Sequence, residues 1–129
     1  MITDNQVYTY IAQHLRSVYG EDIHITSERL YMCAEFPTVS IVCIDTTPIS
    51  ETIDCTESNK RMTFEVNVYT DTTMNDAKEI ANETYRAFHK CYFRCRLLAP
   101  LDNVNDLTIK RYVGSFTRAI GYSDILPNQ

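Results

Sequence analysis

The sequence predicts an α+β domain. Two helices pack on one face of a four- to five-stranded mixed, mainly antiparallel sheet, in the order α-β-β-β-α-β-β. Three observations carry this expectation. Residues 4–19 place Val7, Ile11, Leu15 and Val18 at helical spacing. Residues 61–70 alternate Met62, Phe64, Val66 and Val68 with Thr63, Glu65, Asn67 and Tyr69, the period-two pattern of a half-buried strand. That strand runs straight into a second helical pattern built on Ala77, Ile80, Ala81, Thr84, Phe88 and Cys91.

Each element has its own justification. For the first helix, either Thr3 with Gln6 or Asp4 alone supplies the N-cap, and Gly20 stops it. IHIT (23–26) and RLYMC (29–33) read as short strands, broken off by Glu35, Phe36 and Pro37. TVSIVCID (38–45) is the most apolar strand. Val39, Ile41 and Cys43 share one face and Val42 and Ile44 the other, as in a central strand covered on both sides, by helices on one and a neighbouring subunit on the other. Residues 46–60 are polar, acidic and interrupted by Pro48, and read as a long loop. The strand over 61–70 then returns antiparallel to 38–45.

The second helix opens at Thr73, with Asp76 three residues on as in a capping box. His89 and Lys90 end it, where positive charge suits the helix dipole. FRCRLLAP (93–100) places Phe93, Cys95 and Leu97 on one side and Arg94 and Arg96 on the other. A loop at 99–106 leads to a long last strand over 107–122, whose alternation near Lys110–Tyr112 suggests a bulge. Residues 122–129 form an extended tail. A helix joining two strands of one sheet implies a right-handed crossover between 61–70 and 93–98 if those strands run parallel. Long edge strands favour pairing with another chain, hence an oligomer.

At 129 residues the chain suits one domain that buries enough surface to need neither metal nor disulfide. No apolar run approaches the roughly 18 residues of a membrane-spanning helix, and no basic-then-apolar leader opens the chain. The expectation is a soluble, unexported protein with no membrane partner. The net charge of −5 is unevenly spread. Residues 1–60 carry three basic and nine acidic groups, a balance of −6, whereas 86–118 carry seven basic and two acidic groups, a balance of +5. An acidic half and a basic section suit head-to-tail pairing of copies; random clustering on a solvated surface is the alternative.

Motifs of catalysis and cofactor binding are missing. No phosphate-binding glycine loop, nucleophile elbow, H-E-x-x-H or C-x-x-C occurs, and Gly20, Gly114 and Gly121 are too scattered to cradle phosphate. His14, His24 and His89 stand beside no nucleophile phrase. The expectation is no catalytic residue, no metal and no cofactor. His89, Cys91 and Cys95 lack the paired spacing of a zinc site. Five cysteines without framework spacing do not read as a disulfide scaffold. Cys43 reads as core, and Cys55, in a polar segment, as an exposed thiol. Single-stranded nucleic-acid binding is a second reading. Arg94, Arg96, Lys110, Arg111 and Arg118 share two strands with Tyr92 and Tyr112, as phosphate contacts with stacking aromatics would. Against it, the same arginines suit pairing with the acidic first half of this chain or of a neighbour.

Taken in order, FPTVSIVCID (36–45), FEVNVYTDT (64–72), AKEIANETYRAF (77–88), YFRCRLL (92–98) and LTIKRYVGSFTRAI (107–120), behind a short N-terminal helix, resemble the tail terminator (tail completion) proteins of long-tailed bacteriophages. The resemblance lies in layout and register over nearly the whole chain. It implies a virion protein of the tail and neck, made in the host cytoplasm. Such a subunit forms a ring, a hexamer in the family, that caps the tail tube, ends its polymerisation and docks to the head-side connector or stopper. DNA passes through the lumen without sequence-specific contact. On this reading Asp45, Glu51, Asp54 and Glu57 belong to an acidic segment that reaches a neighbour or the tube. Arg94, Arg96, Lys110, Arg111 and Arg118 meet it from the next subunit. Thr63, Glu65, Asn67 and Tyr69 become a contact surface, and Cys33 and Cys55 leave intersubunit disulfides open. Another neck ring, stopper or adaptor, fits the same layout.

Overall fold

The computed structural model describes residues 2–29, 35–51, 57–102, 108–121 and 124–127, without the side chains of 48–51 and 57–59. Its elements are α1 (Asp4–Tyr19), β1 (His24–Thr26), β2 (Thr38–Glu51), β3 (Glu57–Thr70), α2 (Met74–Lys90), β4 (Arg94–Asp102) and β5 (Lys110–Gly121). The strands form one sheet in the order β1-β2-β3-β5-β4. β1 runs parallel to β2 and every other pair is antiparallel. The fold is therefore the expected α+β arrangement, with two helices and a mixed five-stranded sheet. β3 and β4 do run parallel, with β5 inserted between them.

α1 starts on a capping box. The Gln6 amide donates to Thr3 Oγ1 at 3.2 Å and the Thr3 amide to Gln6 Oε1 at 3.1 Å, two otherwise orphaned donors satisfied for about 1 kcal/mol. Gly20 ends the helix at φ 76, a conformation open to glycine without steric cost. The buried stripe is Val7, Ile11 and Leu15 with Tyr10 and Ala12, and it ends sooner than expected. Val18 is 48% exposed, because Tyr19 takes the next inward position and packs on the core. α2 is capped by Thr73, whose hydroxyl accepts from the Asp76 amide at 3.2 Å. It buries Ala77, Ile80, Ala81, Thr84, Ala87 and Phe88. Cys91 closes it, and Tyr92 follows at φ 65, a position that usually falls to glycine. There the Phe93 amide reaches back to the Phe88 carbonyl at 3.0 Å.

The core lies between this helical layer and one face of the sheet. Phe64, Phe116, Cys95 and Cys43 stand in one row across four strands, and Val66, Gly114, Leu98 and Ile41 in the next. Phe88 of α2 stacks on Phe116 with centroids 4.3 Å apart and planes 7° from parallel, while Phe93 meets both Phe64 and Phe88 edge-on. Such ring pairs add about 0.5–1.5 kcal/mol beyond burial. Gly114 leaves room for them: a Cβ there would come within 2.8 Å of the Phe116 ring and 3.2 Å of Leu98.

Several elements differ from the sequence expectation, for local reasons. The central strand is β3. Among the described residues β2 has a strand neighbour on its outer side only at Thr38–Ser40, because β1 is three residues long. The segment 46–60 is mostly hairpin, with β2 extending to Glu51 and β3 beginning at Glu57, and only 52–56 fall outside the described residues. Pro48 falls where β2 is an edge among the described residues, beside a register shift between Pro48 and Ser50, both of them places where a sheet accepts proline. Pro100 sits within β4, the opposite edge, on the same grounds, so the expected loop at 99–106 begins only after Asp102. β5 pairs with β3 without interruption from Lys110 to Gly121, so no bulge falls at Lys110–Tyr112: Tyr112 is simply a core residue. The irregularity lies instead between Cys95 and Leu97, which sends Leu97 to the helix-free face and Leu98 into the core. The expected strand at 29–33 lies outside the described residues from 30 onward. Of the tail, Leu126 packs on the core, and Asp124 Oδ2 accepts from the Gly121 amide at 2.7 Å. No helix among the described residues is long and apolar enough to cross a membrane.

Candidate interaction surface

With both helices on one side, the other face of the sheet carries the chemistry. Strand alternation aims Thr63, Glu65, Asn67 and Tyr69 of β3 at this face, together with Arg111, Val113, Ser115 and Thr117 of β5. Sequence patterning marks these β3 side chains as an exposed contact surface. Three of the four are buried instead: Thr63 is 6%, Asn67 5% and Tyr69 8% exposed. A central strand flanked on both sides has its short polar side chains covered by its neighbours.

They satisfy one another. Arg111 donates from Nε and Nη2 to Asn67 Oδ1 at 2.9 and 2.7 Å, and its guanidinium lies 5.7 Å from the Tyr69 ring centre. Asn67 in turn donates to Glu65 Oε1 at 3.2 Å, and the other Glu65 oxygen lies 3.8 Å from Arg29. Thr63 and Thr117 share a hydroxyl hydrogen bond at 3.1 Å. This network leaves no buried side-chain polar atom unpartnered among the described residues, which suits the high cost of an unpaired buried polar group.

The expected basic stripe does not form as one surface. Arg118 follows the core-facing parity of Phe116 and Ile120 and lies on the helix side. Its Nη1 donates to the Cys91 carbonyl at 2.8 Å, Nη2 lies 3.4 Å from Asp124, and its plane sits 5.6 Å from the Tyr92 ring. Arg111 belongs to the Asn67 network. Lys110 is half-buried at the start of β5, in register with Thr70 and Asp102. Arg94 and Arg96 do remain together, and with them comes Arg61 of β3, which sequence reading passed over. Its signal was available: Arg61 shares the parity of Thr63 and therefore their face.

Of the acidic candidates, Asp45 is exposed on β2, paired in register with Thr63, and accepts the Thr47 hydroxyl at 2.5 Å. Glu51 and Glu57 are opposite one another in the β2–β3 ladder, their side chains outside the description. Asp54, Cys33 and Cys55 lie outside the described residues. The other thiols are free. Burial pushes Cys91 up to about 11 although Arg118 works against it, and burial raises Cys95 as well. Neither has the depressed pKa of a reactive thiol. Cys43 is half-buried against the core edge.

The histidines are engaged individually. His14 meets Glu83 at 3.1 Å between α1 and α2, His24 meets Glu35 at 2.8 Å, and His89 stacks on Tyr85. Near His14, Ser17 directs its hydroxyl at the His14 carbonyl at 2.6 Å and not at the imidazole. No three His, Cys, Asp or Glu side chains gather as metal ligands among the described residues.

Two strand edges complete the surface. Among the described residues, β2 from Ile41 to Glu51 and β4 along Arg94–Asp102 each pair with a strand on one side only. No protein-family model matches the chain, and no curated protein matches it in sequence.

Proposed function

We propose that the chain is a structural subunit of a virion ring: a tail terminator that caps the tail tube of a long-tailed phage and joins it to the head-side connector. The observation that carries this reading is the pair of edges, β2 from Ile41 and β4, that are open among the described residues at opposite sides of one sheet. An exposed strand edge is a row of unpaired backbone donors and acceptors that invites a further strand. Edges at opposite sides make the contact between copies heterologous, and a heterologous contact closes into a ring when its rotation allows. The sequence layout supports the same reading, from the N-terminal helix to the last long strand, as does the absence of any motif for catalysis.

Multi-angle light scattering on the purified chain, alone and with tail tubes of its phage, tests the proposal. The expected particle has about six times the 14.9 kDa chain mass, alone or on the tube end, and added protein stops tube growth in negative-stain images. A persistent monomer that leaves tube length unchanged overturns it. A ring that binds the connector without limiting tube length identifies an adaptor or stopper of the same joint.

A further inference from the structure

On the helix-free face, Arg61, Arg94 and Arg96 line an open cleft of about 540 Å³ together with Cys95 and Thr117. Its floor is built across three strands. Thr63, Thr117 and Arg94 stand in one row of β3, β5 and β4, and Arg61 is in the next row, opposite Ala119. The Cys95–Leu97 bulge leaves Arg96 without a residue opposite it in β5. Among the described residues none of these three guanidiniums has a carboxylate within ion-pair distance, whereas Arg29, Arg86 and Arg118 each have one. Asp45, the nearest acidic group in register on β2, pairs across from Thr63 and holds the Thr47 hydroxyl.

Three like charges kept together with no counter-charge among the described residues are a standing cost, relieved by an anion. The geometry points to a phosphate-binding cleft that takes the phosphodiester backbone of a nucleic acid without regard to sequence. A planar carboxylate is satisfied by one guanidinium fork, whereas the oxygens of successive phosphates accept from several. The Thr117 hydroxyl, 3.1 Å from that of Thr63, adds a neutral polar group to the lining. Among the described residues no aromatic side chain lines the cleft, which favours contact with the backbone over base stacking. The cleft is complete within one chain and does not depend on ring formation.

Fluorescence anisotropy with labelled oligothymidylate and with a duplex of mixed sequence tests this, with inorganic phosphate as competitor. Three phosphate contacts predict that duplex affinity falls about 40-fold between roughly 50 and 200 mM salt. In the Arg61→Gln/Arg94→Gln double variant one contact remains, and the fall shrinks to about 3- to 4-fold. Arg29→Gln and Arg86→Gln leave both affinity and salt dependence unchanged. All four positions carry exposed side chains, and unchanged circular dichroism melts certify the variants as folded.

No binding at about 20 mM salt overturns the proposal, as does binding that ignores the double variant. Inorganic phosphate competing at equal phosphate concentration shows a single-phosphate site and overturns the backbone assignment. If Arg94→Glu dissociates an oligomer of the wild-type chain and no oligonucleotide binds, the cleft holds carboxylates of a second copy. Light scattering without nucleic acid reads the ring independently, so either idea can fail alone.

Discussion

On each face of β3 most side chains between Met62 and Tyr69 are hidden from water, by opposite means. Toward the helices, Met62, Phe64, Val66 and Val68 are each 2% exposed or less and belong to the apolar core. Away from the helices, Thr63, Asn67 and Tyr69 are nearly as hidden but reach that state through hydrogen bonds and a guanidinium laid near a ring. The first face draws its stability from area removed from water, which is non-directional and large. The second gains little net free energy from each hydrogen bond and loses much if one partner disappears. Substitutions on the two faces should therefore differ in size and also in how they combine.

The largest effect belongs to the apolar face. Phe116 is fully buried and stacks on Phe88, so Phe116→Ala removes a ring, its partner contact and the support of the layer above. The expected loss is about 3–5 kcal/mol in urea denaturation. A loss under about 1 kcal/mol would mean that this face is loosely packed, and the comparison would collapse.

Asn67→Ala comes next, at about 1–3 kcal/mol, because Arg111 loses its acceptor and Glu65 a donor while both remain half-covered. Its signature is coupling. In a chain already carrying Arg111→Ala, the same substitution should cost markedly less, since the donor it strands is gone. Strict additivity in that double-mutant cycle would show that the polar face is held by shape alone.

Much of the apolar face was legible in the sequence, and little of the polar one. The period of two in Met62–Val68 and the spacing of Ala77–Phe88 each announce a buried stripe, because burial of apolar area is a property of single residues. The polar side chains of β3 carry the same alternation, yet nothing local says that neighbours will cover them. That depends on β3 being central, which follows from the placement of β5 between β3 and β4. Arg118 shows the same limit. Its parity with Phe116 and Ile120 places it on the helix side, but its partners, the Cys91 carbonyl and Asp124, come from the end of α2 and from the tail. The strand pairing of 46–51 with 57–60 was hidden because Pro48 reads as a strand breaker until the strand is known to be an edge.

A smaller effect sits between the helices that cover the apolar face. Burial works to raise the Glu83 carboxyl, but hydrogen bonds from His14 and Arg86, with their charges, outweigh it and hold the pKa below its ordinary 4.5. A depressed carboxyl binds fewer protons in the folded state than in the unfolded one, so stability rises with pH across this interval. The contribution is present above the ordinary value and disappears as pH falls through the lowered one. Melting temperatures of wild type and Glu83→Gln should thus differ at neutral pH and converge as the pH is taken below the ordinary carboxyl value. Curves that stay parallel as the pH falls would remove Glu83 from the account of the α1–α2 contact.

The smallest effect sharpens the comparison by dividing the polar face itself. Arg61 shares a strand and a parity with Asn67, yet it is exposed and has no ion pair among the described residues, whereas Asn67 is almost fully covered and bonded on both sides. If burial and satisfaction decide the cost, and not membership of a face, then Arg61→Gln with Arg94→Gln should change unfolding free energy by no more than about 0.5 kcal/mol. A slight gain is the favoured sign, because two of three neighbouring positive charges are removed and mutual repulsion falls. Added salt should then stabilise the wild-type chain more than the double variant, since screening relieves the same repulsion. A loss of about 2 kcal/mol would instead tie these arginines into the fold, and the cleft would no longer be separate from the network that closes the rest of the face.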